Sequence, residues 1–128
     1  MKNFNILEKK LKIKFKNRSL LIDSMTHKSL DQKINNEKLE FLGDRVLGLV
    51  IAKKLLEKYP DEKEGVIDKK FANLVNKKTC AEISEKIGLK KFIILGESYK
   101  YEKKTNEKIT SDALEALIGA IFLDKNLQ

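Results

Sequence analysis

Two short segments of the sequence carry acidic residues at a spacing that could hold a metal ion. In the first, Glu37, Glu40 and Asp44 are three and four residues apart, so a helix would place all three on one face. Five apolar residues of this segment also have helical spacing: Leu39, Leu42, Val46, Leu49 and Val50. The pattern predicts a helix that lies among apolar partners, where clustered carboxylates require a counter-charge.

The second segment has Asp112 and Glu115 at the start of an apolar run at 116–123. Two acid-bearing apolar helices favour one shared site for a divalent metal. An alternative for this pair is a capping box at the start of a helix, because the two acids are three residues apart. Asp44 lies about two turns inside its helix, beyond the capping region. Glu37 could either complement the helix dipole or support the site.

The ligand types that the sequence lacks narrow the choice of metal. It has one histidine, His27, and one cysteine, Cys80, which are far apart, so a zinc site is not expected. The Glu-x-x-His pairs of di-iron carboxylate proteins are missing, because Ser24 precedes His27 by three residues. Ligands that are all oxygen favour Mg²⁺ or Mn²⁺, which commonly serve phosphate chemistry. His27 is predicted to be a hydrogen-bonded structural residue rather than a base.

At these acidic residues the chain resembles bacterial ribonuclease III. Residues 36–44, with the sequence NEKLEFLGD, resemble the signature segment of that family, and residues 112–124 resemble its second acidic motif. Weaker matches cover much of the remaining chain, at 15–21, 26–29, 64–65, 74–75 and 81–82. The resemblance implies an all-α, homodimeric endonuclease domain that cuts both strands of double-stranded RNA, leaving 5′-phosphate and 3′-hydroxyl ends. It also implies a role in rRNA and mRNA processing.

The resemblance assigns roles to individual carboxylates. Glu40, Asp112 and Glu115 would hold Mg²⁺, for which Mn²⁺ can substitute. Asp44 would orient the attacking water and would share the catalytic role with Glu115. In physical terms, the metal lowers the pKa of a bound water and neutralises the charge that builds on the scissile phosphate.

Three further residues match positions of the same family. Glu37 and Glu64 match acids with supporting roles, and Phe41 matches an aromatic residue that packs across the dimer interface. The sequence also departs from the family pattern, with Arg45 where many relatives carry a small residue and with Lys-Ile-Thr-Ser at 108–111 in place of the commoner Ser-Ile-Leu-Ala. These departures leave every carboxylate of the two motifs in place.

The charge of the chain favours a polyanionic partner, although a lysine-rich composition alone could produce it. Lys and Arg number 27 against 19 Asp and Glu, a net charge of +8. Three functions remain open: a Mg²⁺-dependent endonuclease for double-stranded RNA, a ribonuclease III-like domain that binds RNA without cutting, and a basic helical interaction module. The complete acid set counts against the second, and its clustering on apolar helices counts against the third.

The apolar residues recur at helical spacing along most of the sequence, so the elements that position these acids are predicted to be helices. Helices are predicted near 3–12, 18–29, 36–59, 65–76, 79–87 and 110–124, and the apolar run at 92–95 is expected to be extended or 3₁₀. The 128 residues, 41% of them hydrophobic, form one domain at 1–128 with a single helical core. Cys80 is predicted to belong to that core.

Targeting signals and membrane spans are missing from the sequence, which predicts a cytoplasmic protein. The basic N-terminus has no apolar signal core, and no stretch approaches the roughly 20 apolar residues that cross a bilayer. The sequence stops at Gln128, just after the second acidic motif. Relatives in the family continue with a further helix and a double-stranded-RNA-binding domain, so the chain is expected to be truncated.

Overall fold

A computed structural model of the chain describes residues 2–97 and 103–125, and in these ranges the protein is helical. The α-helices are α1 (Phe4–Leu11), α2 (Arg18–Ser24), α3 (Glu37–Lys58), α4 (Glu64–Val75), α5 (Lys77–Ile87) and α6 (Lys103–Lys125), and a 3₁₀-helix spans Leu89–Phe92. In the described parts of the chain, β-structure is limited to one isolated bridge, so the all-α prediction is confirmed. None of the helices in these ranges combines the length and apolar character needed to cross a membrane.

Helix α6 is the centre of the core, with α2, α3 and α5 packed around it. Its inner face consists largely of small and apolar residues, and Ala113, Ala116, Leu117 and Ala120 are all buried. Cys80 of α5 is buried against the same core, as predicted. Small side chains let neighbouring helix axes approach closely, which matters most where α3 crosses α6.

Two glycines make the crossing of α3 and α6 unusually close. A Cβ atom at Gly43 would lie 1.6 Å from the carbonyl oxygen of Glu115, and one at Gly119 would lie 2.2 Å from the carbonyl oxygen of Leu39. Each glycine therefore presses against the backbone of the other helix. Because Glu40 lies next to Leu39 in sequence, the crossing holds the two acidic segments against each other.

Helix α2 ends at Ser24 rather than near residue 29, so the predicted C-terminal end of this helix is wrong. The backbone beyond it pairs with a distant segment: Ile94 N donates to Met25 O at 2.7 Å, and His27 N donates to Ile94 O at 2.9 Å. These bonds require a non-helical backbone at 25–27. Ile94 follows the 3₁₀-helix and the extended Ile93, so the run at 92–95 contains both of the expected conformations.

Helix α6 begins at Lys103, well before the predicted start near residue 110. The hydroxyls of Thr110 and Ser111 accordingly donate to carbonyl oxygens within the helix, those of Asn106 at 2.9 Å and Lys108 at 3.1 Å. Asp112 lies more than two turns inside α6, so the capping-box alternative for the second acidic pair is excluded.

The surroundings of α3 differ from the prediction. It was expected to lie among apolar partners, but in the single chain one side of the helix is open. Phe41, Leu49 and Leu56 are 61%, 72% and 61% exposed, and their spacing of eight and seven residues places them on one face. The sequence pattern is that of a helix buried on most of its surface. The fold of one chain covers α3 where it packs against α6 and α4, and leaves the face with Phe41, Leu49 and Leu56 open.

Candidate metal centre

The crossing of α3 and α6 brings together three of the predicted metal ligands. Glu40 of α3 and Asp112 and Glu115 of α6 each offer a carboxylate oxygen, and these oxygens lie within 4.8 Å of one another. All three residues are half-buried. Oxygen atoms at this separation, on two rigid helices, form a suitable cradle for a hard divalent cation. We call Glu40, Asp44, Asp112 and Glu115 the acidic cluster, because Asp44 adjoins Glu115 at its rim.

Two carboxyl groups of the acidic cluster, those of Glu40 and Glu115, have raised pKa values. Burial raises the pKa of Glu40 to about 7, and a hydrogen bond shared with Asp112 and the charge of Asp112 add to the effect. Burial likewise raises the pKa of Glu115 to about 8, with a hydrogen bond and charge repulsion from Asp44 contributing next. Ionisation of Glu40 and Glu115 is therefore disfavoured when no cation is bound. A bound divalent cation would relieve the repulsion between the carboxylates.

Three cations lie around the acidic cluster. Lys108 Nζ donates to Asp112 Oδ2 at 2.7 Å, and Arg45 Nη1 lies 3.5 Å from Asp44 Oδ2. The Arg45 guanidinium also stacks over the Phe41 ring, 3.7 Å from its centroid. Lys77, at the start of α5, lines the same opening and lowers the pKa of Glu40 by its charge. The opening thus combines acids at its base with cations at its rim.

A second hollow of about 200 Å³ adjoins the acidic cluster on the side of Lys108. Glu37, in the first turn of α3, lines it together with Glu40, Asp112 and Lys108, so Glu37 is beside the site as well as at a helix N-terminus. The hollow also contains His27, whose Nδ1 is 2.8 Å from Ser29 Oγ. Burial is the main cause that lowers the pKa of His27.

Two predicted site residues lie outside the acidic cluster. Glu64 begins α4 and lines a separate, largely apolar hollow with Leu56 and Phe71, so the single chain does not bring it to the other acids. Phe41 is exposed beside the cluster opening.

Cys80 lies near the acidic cluster but takes no part in it. Burial, above all, raises the pKa of its thiol to about 11, and the charges of Glu115 and Asp44 add to the effect. Cys80 therefore remains a neutral core residue.

The cations of the site were missed by the reasoning from sequence. The chain is rich in lysine, and the sequence around Lys28 and Lys77 does not distinguish them from other lysines on a solvated surface. Only Lys108 carried a usable signal, because it precedes Asp112 by four residues and both are on one helix. That spacing brings an ammonium group to a carboxylate.

Comparison with known proteins agrees with the fold and identifies the family. Residues 17–128 match a family described as Ribonuclease-III-like. The chain belongs to this family. Among curated relatives it is similar to Ribonuclease 3 of Pelagibacter ubique (strain HTCC1062), with 64% identity over 94% of this chain and 54% of the relative. It is also similar to Ribonuclease 3 of Campylobacter fetus subsp. fetus (strain 82-40), with 45% identity over 100% of this chain and 58% of the relative.

Solved structures of the same family have a closely similar fold. A nuclease domain of ribonuclease III from Campylobacter jejuni, described as flexible in a region involved in dimer formation, superposes with a TM-score of 0.88 and 43% identity. The match covers 96% of this chain and 87% of that domain. A crystal structure of the nuclease domain from the same organism gives a TM-score of 0.87 at 44% identity, covering 98% and 86% of the two chains. The chain spans only 54% and 58% of the two curated relatives described above.

Proposed function

We propose that this chain is the catalytic domain of an Mg²⁺-dependent endoribonuclease that cuts double-stranded RNA. The observation that carries the proposal is the acidic cluster, in which three carboxylate oxygens from two helices lie within 4.8 Å of one another. Its all-oxygen ligand set suits Mg²⁺, with Mn²⁺ as a substitute. When bound, the metal supplies an acidified water and neutralises charge on the scissile phosphate.

The residues of the chain would divide the remaining work. Glu40, Asp112 and Glu115 hold the metal, while Asp44 orients the attacking water from the open side of the cluster and shares this role with Glu115. Attack on phosphorus breaks the bond to the 3′ oxygen and leaves 5′-phosphate and 3′-hydroxyl ends. Glu37 supports the site from the adjoining hollow, which it lines with Glu40 and Asp112.

The partner would be an RNA duplex, with structured rRNA and mRNA precursors as its physiological sources. The net charge of +8 supports binding to a polyanion. At the site, Lys28, Lys77 and Lys108 line the two openings that flank the acids. They provide the cations that contact phosphates, while the 2′-hydroxyls of an A-form helix provide selectivity for RNA.

We also propose that two copies act together as a symmetric homodimer. The open face of α3, with Phe41, Leu49 and Leu56 exposed, is the surface that a second copy would cover. Two-fold symmetry then presents one acidic cluster to each strand of the duplex. Glu64 lies at the edge of this face beside Leu56, so its supporting role would depend on the assembled dimer.

Cleavage of defined substrates tests the proposal. A long RNA duplex, single-stranded RNA of the same sequence and a DNA duplex are each incubated with the chain in Mg²⁺ or in chelator. We expect cleavage of the RNA duplex alone, in Mg²⁺ alone. The new 5′ ends should accept label from a kinase only after phosphatase treatment. Duplex binding without cleavage at saturating Mg²⁺ would instead identify a binding domain, and cleavage in chelator would exclude the metal mechanism.

A further inference from the structure

Lys108 makes the shorter of the two ion pairs that the structure records with the acidic cluster. Its Nζ is 2.7 Å from Asp112 Oδ2, compared with 3.5 Å between Arg45 and Asp44. Lys108 precedes Asp112 by one helical turn, so the ammonium group reaches the carboxylate without any change in the backbone.

A divalent cation in the cluster would compete with Lys108 in two ways. It would need the Asp112 carboxylate, which now accepts the Lys108 hydrogen bond. It would also be repelled by a positive charge held one hydrogen-bond length from one of its ligands. The positive charge of Lys108 thus partly neutralises the acidic cluster when the metal is absent, and it weakens the binding of a divalent metal.

Lys108 is free to leave Asp112, whereas Asp112 is fixed. The side chain of Lys108 is 56% exposed, and that of Asp112 is only 15% exposed. Lysine carries its charge on a flexible four-carbon stem, and half-exposed ion pairs of this helical type contribute little to stability. The hollow that Lys108 lines with His27 and Lys28 gives the displaced ammonium group a route to solvent. Releasing Asp112 from Lys108 therefore requires the Lys108 side chain to move but no change in the backbone.

We propose that Lys108 is an internal counter-cation that occupies Asp112 while the centre is empty, and that a divalent metal must displace it. Lys108 thereby sets the metal concentration at which the centre loads. The inference rests on the proposed function, because it takes the acidic cluster to be the metal site. Lys108 is in this sense a positioning residue that acts through Asp112 on the metal.

Calorimetric titration with Mn²⁺ in the absence of RNA tests this role directly. Lys108→Gln should bind Mn²⁺ about three- to ten-fold more tightly than the wild type, because the competing charge is gone. The same variant without metal should melt at a temperature only slightly below that of the wild type, since the cluster has lost a counter-charge but the ion pair is half-exposed. Lys108→Arg keeps the charge and should restore the wild-type affinity to within about two-fold.

Lys53→Gln is the matched control. Lys53 and Glu57 of α3 form an ion pair with the same four-residue spacing and a distance of 2.8 Å, but both are exposed and neither lines the openings beside the acidic cluster. Removing this pair should leave Mn²⁺ affinity unchanged. If the wild type binds Mn²⁺ and Lys108→Gln binds it with equal or lower affinity, the role proposed for Lys108 is wrong, but the proposed function stands. A wild-type protein that binds no Mn²⁺ would overturn the proposed function as well.

Discussion

Gly43 of α3 and Glu115 of α6 touch through their backbones, so closely that a Cβ at position 43 would lie 1.6 Å from the Glu115 carbonyl oxygen. Gly119 has the reciprocal contact with Leu39, at 2.2 Å. The acidic cluster therefore depends on two residues that contribute no side chain. Their absence of bulk sets the distance between the helices, and that distance brings Glu40 within reach of Glu115.

Gly43→Ala should consequently destabilise the protein and loosen the acidic cluster. The new methyl group meets backbone rather than a flexible side chain, so the helices must separate, and we expect a loss of about 3 kcal/mol or more in the free energy of unfolding. Gly48→Ala, on the same helix, is the matched control: its Cβ would lie 3.5 Å from Phe71 Cζ, an ordinary contact. It should be neutral or stabilise by about 0.5–1 kcal/mol. Urea denaturation of both variants measures the difference, and similar stabilities would contradict the close-packing argument.

The sequence alone predicted the acids but not the contact that brings them together. Glu40 and Asp44 were identifiable because carboxylates at helical spacing among apolar residues are costly without a cation. Gly43 and Gly119 carried no comparable signal, since a glycine in a helix has the same local pattern whether or not another backbone touches it. Chemistry thus predicted one shared metal site on the two acidic helices. The grouping of Glu40, Asp112 and Glu115 came from the family resemblance, and its geometry required the fold.

The errors in the predicted helices have two different physical causes. Helix α2 stops early because Met25 and His27 bond to Ile94, a long-range pairing that local periodicity does not reveal. Helix α6 starts early because its first turns, from Lys103, are polar, and polar residues give no periodic apolar signal. The open face of α3 is a third case, where the pattern indicated burial that a single chain does not provide.

Glu115→Gln should abolish metal-dependent cleavage while preserving the fold. The amide keeps the side-chain volume but loses the charge that holds the metal, so we expect cleavage of duplex RNA to fall by about 100-fold or more. Without metal the variant should melt at a higher temperature than the wild type, because one member of a repelling cluster has become neutral. Glu107→Gln, on the exposed side of α6, is the control and should change neither property. Cleavage by Glu115→Gln at the wild-type rate would refute the assignment.

The raised pKa values of Glu40 and Glu115 predict how stability varies with pH when metal is absent. Their usual pKa is 4.5, and in the folded protein the values are about 7 and about 8. Between these limits the folded state retains protons that the unfolded chain has released, so these groups lower stability as the pH rises from about 4.5 to about 8. Below about pH 4.5 both carboxyl groups are protonated in the folded and the unfolded states, so they no longer lower the stability.

The pH prediction is best tested by measuring the free energy of unfolding of the wild type and of the double variant Glu40→Gln, Glu115→Gln, and taking the difference at each pH. The lowered pKa of His27 acts in the opposite direction, and it contributes to both proteins. We expect the free energy of unfolding of the wild type to fall relative to the double variant as the pH rises from 5 to 8. Saturating Mg²⁺ should reverse the trend, because the metal binds the ionised carboxylates of the native state. A flat difference in the absence of metal would exclude the proposed proton affinities.

Phe41→Asp should shift the protein from dimer to monomer. Phe41 is 61% exposed on the open face of α3, and a second copy covering that face would bury an unpaired charge in the variant. We expect the dimer dissociation constant to rise by about 30-fold or more, equivalent to the loss of a ~2 kcal/mol hot spot. Ile6→Asp, at a position of α1 that is 55% exposed, is the control and should leave the constant unchanged. Light scattering during size exclusion gives both values. A monomeric wild type that cuts both strands in one binding event would refute the dimer, whereas the dimer model requires the Phe41→Asp monomer to lose coordinated double-strand cutting.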